Sequence, residues 1–187
     1  MNLSHKRAFG FVSLFVLLAI SVLAADAYTD DKKNWQRERE HRESHNGEKK
    51  LNPIDNATYA DQCGSCHFAY QPELLPAASW QKILNGTDDH FGEAVPLDGD
   101  AKTKIINYLI SNAADTSSAK LSARIMRCLK GSAPVRITDI PYIRKEHHEI
   151  TPEVVQRKSV GSLSNCIACH RTAAMGEYDD DDVSIPQ

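Results

Sequence analysis

Apolar residues are spread unevenly along the 187-residue chain, and their spacing divides it into segments. Residues 8–23 carry no charge and include Phe11, Val12, Leu14, Phe15, Val16, Leu17, Leu18 and Ile20; Lys6 and Arg7 precede them, and Ala24-Ala25-Asp26-Ala27 follows. A positive start, an apolar run and an A-x-A site are the parts of a secretory signal peptide, so residues 1–27 read as a leader and the rest as exported. An uncleaved anchor is the alternative, although the run is short of the roughly 20 residues a membrane span needs. Residues 28–56 are dense in charge, and only Trp35, Leu51 and Ile54 offer sizeable apolar surface. Such a segment buries too little to offset the entropy of ordering it, and reads as a flexible tether or a solvated helix. His41 and His45 would share a face of such a helix; two solvated histidines in a charged run is the simpler reading.

Beyond residue 56 the spacing becomes helical. It predicts a short helix over 57–67 and a second over 77–84, with Trp80, Ile83 and Leu84 at i, i+3 and i+4 and Gly86 as stop. Asp98 or Asp100 can cap a third helix reaching to about residue 114, with Ile105, Ile106, Tyr108, Leu109 and Ile110 in one broad stripe. A fourth helix is expected over 119–130, with Leu121, Ile125, Cys128 and Leu129 on one face and Gly131 ending it. Residues 133–144 carry Val135, Ile137, Ile140 and Ile143 between Pro134 and Pro141, and read as a short strand or extended loop. The stretch 145–170 has few structural signals. The chain ends in an acidic run, Asp179 to Asp182, read as a solvated terminus or a docking patch for a basic partner. The expected organisation is therefore a leader (1–27), a charged segment (28–56), a first compact unit (57–116) and a second (117–187) with the acidic tail.

Composition narrows the classes. A mean hydropathy of −0.45 with a quarter of residues charged excludes a polytopic membrane protein. A net charge of −3 without a basic stripe argues against nucleic acid as the main partner. Only 7% of residues are aromatic, and the second half is poor in large apolar side chains, so something other than polypeptide is expected to supply core.

That something is indicated by four of the five cysteines. Cys63-Gly64-Ser65-Cys66-His67 and Cys166-Ile167-Ala168-Cys169-His170 are both C-x-x-C-H. Two thiols three positions apart can add to the two vinyl groups of one haem, and the following histidine then projects its imidazole toward the iron. A thioredoxin-like redox site would be a single pair in a βαβ setting. A zinc site would bring its cysteine pairs much closer in sequence than the 99 residues between Cys66 and Cys166. The motifs thus predict two covalently bound haem c groups, attached through Cys63, Cys66, Cys166 and Cys169, with His67 and His170 as iron ligands.

The opposite axial ligands can be narrowed by elimination. Past the leader, only Met126 and Met175 are available as methionines, and neither lies between His67 and Ile125. His90 is the only histidine between residues 68 and 146, so it is the expected second ligand of the first iron. For the second iron Met175 follows His170 too closely to wrap easily to the other face. His147 and His148 lie about 20 residues upstream of that motif; His147 is favoured and His148 competes. Spacing leaves open a crossed arrangement with His90 on the second iron. Because methionine ligation raises a haem's potential relative to histidine, two bis-histidine centres would be low-potential. Cys128, outside both motifs, reads as a small buried hydrophobe.

In order along residues 57–187 stand CGSCHFAYQPELLPAASW (63–80), HFGEAVPLD (90–98), INYLISNAAD (106–115), PVRITDIPYI (134–143), HHEI (147–150) and SNCIACHRTAAMGEY (164–178). Through these strings the chain resembles the bacterial dihaem cytochromes c that partner a small oxygen-binding monohaem cytochrome and a membrane cytochrome b. The resemblance implies a mostly α fold: an N-terminal domain similar to a class I cytochrome c, and a smaller, irregular C-terminal haem domain. It implies bis-histidine ligation of both irons, with His90 and, in the H-x-E-I position, His147 as the further ligands. It also implies a periplasmic electron carrier without a substrate of its own, taking electrons from a membrane cytochrome b-type donor and passing them to a small cytochrome acceptor. The membrane would then be met only through a partner or an uncleaved leader. Cys128 is not part of the pattern. The competing classes are a dihaem enzyme, either peroxidase-like or a haem–thiolate sulfur oxidoreductase using Cys128, and a haem-based sensor.

Overall fold

Capping and amphipathic spacing account for the principal helices. In the computed structural model, which describes residues 33, 35–37, 39 and 50–187, Asn56 accepts a hydrogen bond from Tyr59 N at 2.9 Å and opens α1, Ala57–Cys63. Helix α2, Ala77–Asn85, has no cap of its own; Asp115, beyond the next helix, accepts from Ala77 N at 2.9 Å. Asp98 caps α3, Gly99–Ser111, by accepting from Ala101 N at 2.7 Å. Helix α4, Lys120–Leu129, ends where Lys130 and Gly131 both take positive φ. Two short helices follow, α5 (Pro141–Glu146) and α6 (Pro152–Val155), each with proline in its first turn, where its missing N–H has no intrahelical partner to lose. Single 3₁₀ turns and isolated bridges complete the secondary structure of the described residues, which contain no named strand. The fold is mostly α, as expected.

One buried cluster joins these elements. Trp80 and Leu84 from α2, Ile105 and Leu109 from α3, and Leu121, Ile125 and Leu129 from α4 meet Leu74, Leu75 and Ile140. The cluster therefore runs through helices on both sides of residue 116. Backbone and side-chain hydrogen bonds cross the same line: Ala114 N donates to Leu75 O at 2.9 Å, and Ser122 Oγ to Glu73 O at 3.0 Å.

Several expectations change. The first helix stops at Cys63 instead of continuing to 67, because Gly64 takes the cap position and the chain turns there. The third helix ends at Ser111, short of 114, because the backbone turns at Asn112 and Ala114 N leaves the helical ladder for Leu75 O. Residues 133–144 form no strand: Ile137–Asp139 is a 3₁₀ turn, and Pro141 starts a helix instead of bounding an extended segment. Its fixed φ suits a first helical turn as well as it suits a break.

The charged segment also ends differently from the tether expected. Leu51 is only 2% exposed, its N–H donates to Gly176 O at 2.8 Å, and Asn52 is held by the buried carboxylate of Glu73 through Asn52 N at 2.6 Å and Nδ2 at 3.1 Å. Leu51 is buried, Ile54 packs against the same core, and the N–H groups of Leu51 and Asn52 are both bonded, so this stretch is docked. The described residues among 33–39 are helical and exposed, as in a solvated helix. The leader, its A-x-A site, His41 and His45 lie outside the described residues. No helix among the described residues is long and apolar enough to cross a membrane.

Candidate cofactor-binding sites

The first C-x-x-C-H motif begins on the last residue of α1 and runs through the following turn. Gly64 N donates to Ala60 O at 2.9 Å, and a Cβ at position 64 would fall 2.3 Å from that oxygen, so the turn requires glycine. Cys63 is half-buried, and burial pushes its thiol up to about 11; Cys66 and His67 are exposed. His67 Nδ1 lies 2.7 Å from Phe68 O. A carbonyl only accepts, so Nδ1 carries the proton and Nε2 keeps a lone pair for a metal.

His90 reaches the same place on a tight turn. His90 N donates to Glu93 O at 2.7 Å and Glu93 N to His90 O at 3.3 Å, while Phe91 (φ 60) and Gly92 (φ 102) between them both have positive φ, as in a type I′ hairpin. Asp89 Oδ1 accepts from Gly92 N at 2.9 Å and braces the turn. The guanidinium of Arg136 lies 3.9 Å from the Phe91 ring centroid, in cation–π range. The His67 and His90 rings lie 6.2 Å apart between centroids, with planes 19° from parallel. Burial, then the nearby His67 and Arg136, holds His90 below the usual histidine pKa, and so neutral as a ligand must be.

The second motif occupies the 3₁₀ turn Cys166–Ala168 and the residues after it, with His170 N donating to Cys166 O at 2.8 Å. Burial pushes the Cys166 thiol up to about 11. His147 caps the C-terminus of α5. Its Nδ1 lies 2.8 Å from Ile143 O, which by the same reasoning frees Nε2, and its ring lies 5.9 Å from that of His170, at 60°. The neighbouring His148 points away: its side chain is 70% exposed and its Nε2 sits 3.8 Å from Glu149. Cys166, Cys169, His170 and His147 line one cleft with Leu74, Leu121, Ile143 and Val160, enclosing about 1140 Å³ of free space including its open mouth. The hydroxyl of Tyr142, on the cleft wall, is buried without a partner. Tyr178 packs 5.7 Å from His170 and donates to Gln71 Oε1, and Gln71 Nε2 donates to Ala173 O at 2.7 Å.

These features fit haem. An ion between two imidazoles, with metal–nitrogen bonds near 2 Å, sets their ring centroids roughly 6 Å apart; both pairs meet this. Among the described residues no three His, Cys, Asp or Glu side chains converge as a chelating cluster, so the cysteines are not arranged as a zinc site. The Cys63, Cys166 and Cys169 thiols, each pushed up by burial, suit thioethers better than anionic ligands. The cleft is largely apolar, and its orphaned Tyr142 hydroxyl awaits a polar group.

The structure pairs His90 with His67 rather than with His170, and His147 rather than His148 with His170. Met175 is 59% exposed. Cys128 is half-buried and absent from the cleft wall, not the buried core residue expected; the apolar stripe of α4 centres on Ile125 and Leu129, leaving Cys128 at its border. Tyr70, Tyr142, Tyr178 and Arg136 carried no signal in sequence spacing. The helix presenting His147 did have one, the proline at position 141.

A family model for dihaem cytochrome c matches residues 59–178. The solved structure of a diheme cytochrome c from Rhodobacter sphaeroides is 35% identical, with a TM-score of 0.61, over 68% of this chain and 100% of that one. That of a diheme cytochrome c from Shewanella baltica OS155 is 34% identical, with a TM-score of 0.58, over 71% and 94%. No curated protein sequence matches the chain.

Proposed function

The chain belongs to the dihaem cytochrome c family, carries two covalently bound haem c groups and has an electron-carrier role, and from that premise we propose that it is a periplasmic carrier whose two irons are both bis-histidine ligated. Each haem, when bound, supplies the one-electron chemistry of its iron. The protein's part is to attach, ligate, orient and shield. Cys63 and Cys66 hold the first haem and Cys166 and Cys169 the second. His67 with His90, and His170 with His147, would supply the imidazoles that hold the two irons. Backbone carbonyls fix the tautomer of His67 and of His147, and the I′ turn fixes His90. With His90 and His147 as well as His67 and His170 supplying imidazoles, neither iron would have a vacancy for oxygen or peroxide, and both centres would be low in potential.

One observation carries this reading: each motif histidine faces a second imidazole at the separation a shared iron requires. A membrane cytochrome b-type donor and a small cytochrome acceptor are the proposed partners, on the strength of the sequence resemblance. The haem–thiolate enzyme reading has no such support at the second site, whose cleft wall does not include Cys128.

The test is electron paramagnetic resonance of the oxidised, haem-loaded protein. Two low-spin signals of bis-imidazole type are expected. His148→Ala should leave both intact, whereas His147→Ala should open one iron to carbon monoxide in the reduced protein. A high-spin signal in the unmodified protein would overturn bis-histidine ligation, and a thiolate-type signal would revive the enzyme reading.

A further inference from the structure

Tyr70 takes part in both sites. Its ring lies 5.2 Å from that of His67, with planes 31° apart. It also lines the cleft that contains Cys166, Cys169 and His170. Its hydroxyl donates to Ser164 O at 2.6 Å, two residues before Cys166. The residue is held at every point: Tyr59 donates to its carbonyl oxygen at 2.7 Å, and Phe68 packs edge-on against its ring at 5.5 Å. The pairing spans 94 positions in the chain, so it fastens the loop carrying the second motif to the histidine of the first.

We propose that Tyr70 is the coupling residue between the two redox centres, a fixed aromatic bridge in van der Waals reach of the first motif's histidine and hydrogen-bonded into the backbone of the second motif's loop. The proposal rests on the presence of two haems, and not on the identity of every axial ligand. The step it serves moves one electron from a ferrous iron at one centre to a ferric iron at the other. The first is oxidised and the second reduced; no bond breaks and no proton moves. Tyr70 is not itself oxidised, because its hydroxyl donates to an amide carbonyl, which is no base and cannot take the proton. The aromatic ring and the hydrogen bond act in series, so loss of either weakens the link.

The test compares the haem-loaded wild type with Tyr70→Phe and Tyr70→Leu. Internal transfer is followed by transient absorbance after one-electron photoreduction by a flavin, and the resonance spectrum and midpoint potentials of each centre are recorded alongside. Tyr70→Phe, which keeps the ring and loses the hydroxyl, should slow transfer severalfold. Tyr70→Leu should slow it further. In both, the two low-spin signals and the potentials should stay where they are, which a merely structural role would not predict. Wild-type transfer rates in Tyr70→Phe would overturn the proposal, and that variant decides the matter if Tyr70→Leu does not fold. Slowed transfer accompanied by shifted signals would also overturn it, by showing that Tyr70 only holds the sites in shape. A high-spin centre in the wild type would sink the bis-histidine reading and leave the rate comparison intact.

Discussion

Replacing Gly176 by alanine probes how the second motif's loop is fastened to the start of the described fold. Gly176 has φ 77, and a Cβ there would lie 2.2 Å from Leu51 O and 2.8 Å from Leu51 C. Neither atom can give way easily. Leu51 is buried, its N–H donates to Gly176 O at 2.8 Å, and the next residue is held by Glu73. Left-handed backbone in a residue with a Cβ costs about 1–2 kcal/mol. Displacing residues 50–52 forfeits a backbone hydrogen bond, about 1 kcal/mol, and part of the burial of Leu51, about 1.5–3 kcal/mol when complete. The Lys50–Glu177 pair at 2.8 Å is exposed and adds little. The expected loss is therefore about 3–5 kcal/mol, or a fall in Tm on the order of 10 °C at this chain length. The assay is thermal and guanidinium unfolding of the haem-loaded protein, followed by circular dichroism and haem absorbance. Gly99→Ala is the control, at a helix start with nothing within 4 Å of the added methyl; there the same change should be neutral or stabilise by about 0.5–1 kcal/mol. Adding Leu51→Ala to Gly176→Ala should cost less than the two singly, since both undo one docking. A Gly176→Ala loss under about 1 kcal/mol, or full additivity with Leu51→Ala, would refute the reasoning.

Gly64→Ala should destabilise the first haem site by about 1–3 kcal/mol, because its Cβ meets Ala60 O, while Ser65→Ala in the exposed neighbouring position should be near neutral; differential unfolding of the two variants checks this. Tyr59 gives an alkaline signature. Burial raises its phenol far above the ordinary 10.0, so the folded chain keeps a proton that the unfolded chain releases. The associated stability is complete below pH 10 and is lost as pH rises beyond it. Tyr59→Phe should flatten the decline of stability above pH 10, measured by denaturant titration at stepped pH; an unchanged slope would assign the loss elsewhere. Tyr142→Phe should lower the stability of the haem-loaded protein by about 1 kcal/mol if the cleft's occupant accepts its buried hydroxyl, and a gain in stability would show that the hydroxyl stays unpaired.

Where a feature depends on a few consecutive residues, it was readable in advance. Haem attachment needs two thiols and an imidazole within five positions, so both motifs announce themselves. Helices α2, α3 and α4 follow from apolar spacing, the Asp98 cap and the Gly86 and Gly131 stops, all local causes. The narrowing of the candidate second ligands to His90 and the His147–His148 pair is elimination over a short list. The α5 helix is not legible in the sequence, because a proline fits equally a break and a first turn, and only packing of Ile140 and Ile143 against the core decides between them.

What the tertiary structure decided are matters of facing and contact. Adjacent residues such as His147 and His148 have equal chemistry and different surroundings, His147 beside His170 and His148 in solvent, set by the helix end that carries them. Leu51 is one apolar residue in a charged run, and its burial depends on a glycine 125 positions away. Tyr70 meets both motifs through a partner 94 residues distant, and Tyr178 reaches Gln71 across 107. Amphipathic spacing records that a face must be covered, since water excludes it whatever lies opposite; it does not record which surface does the covering, because that is settled only when the separate faces compete for one another in the folded chain.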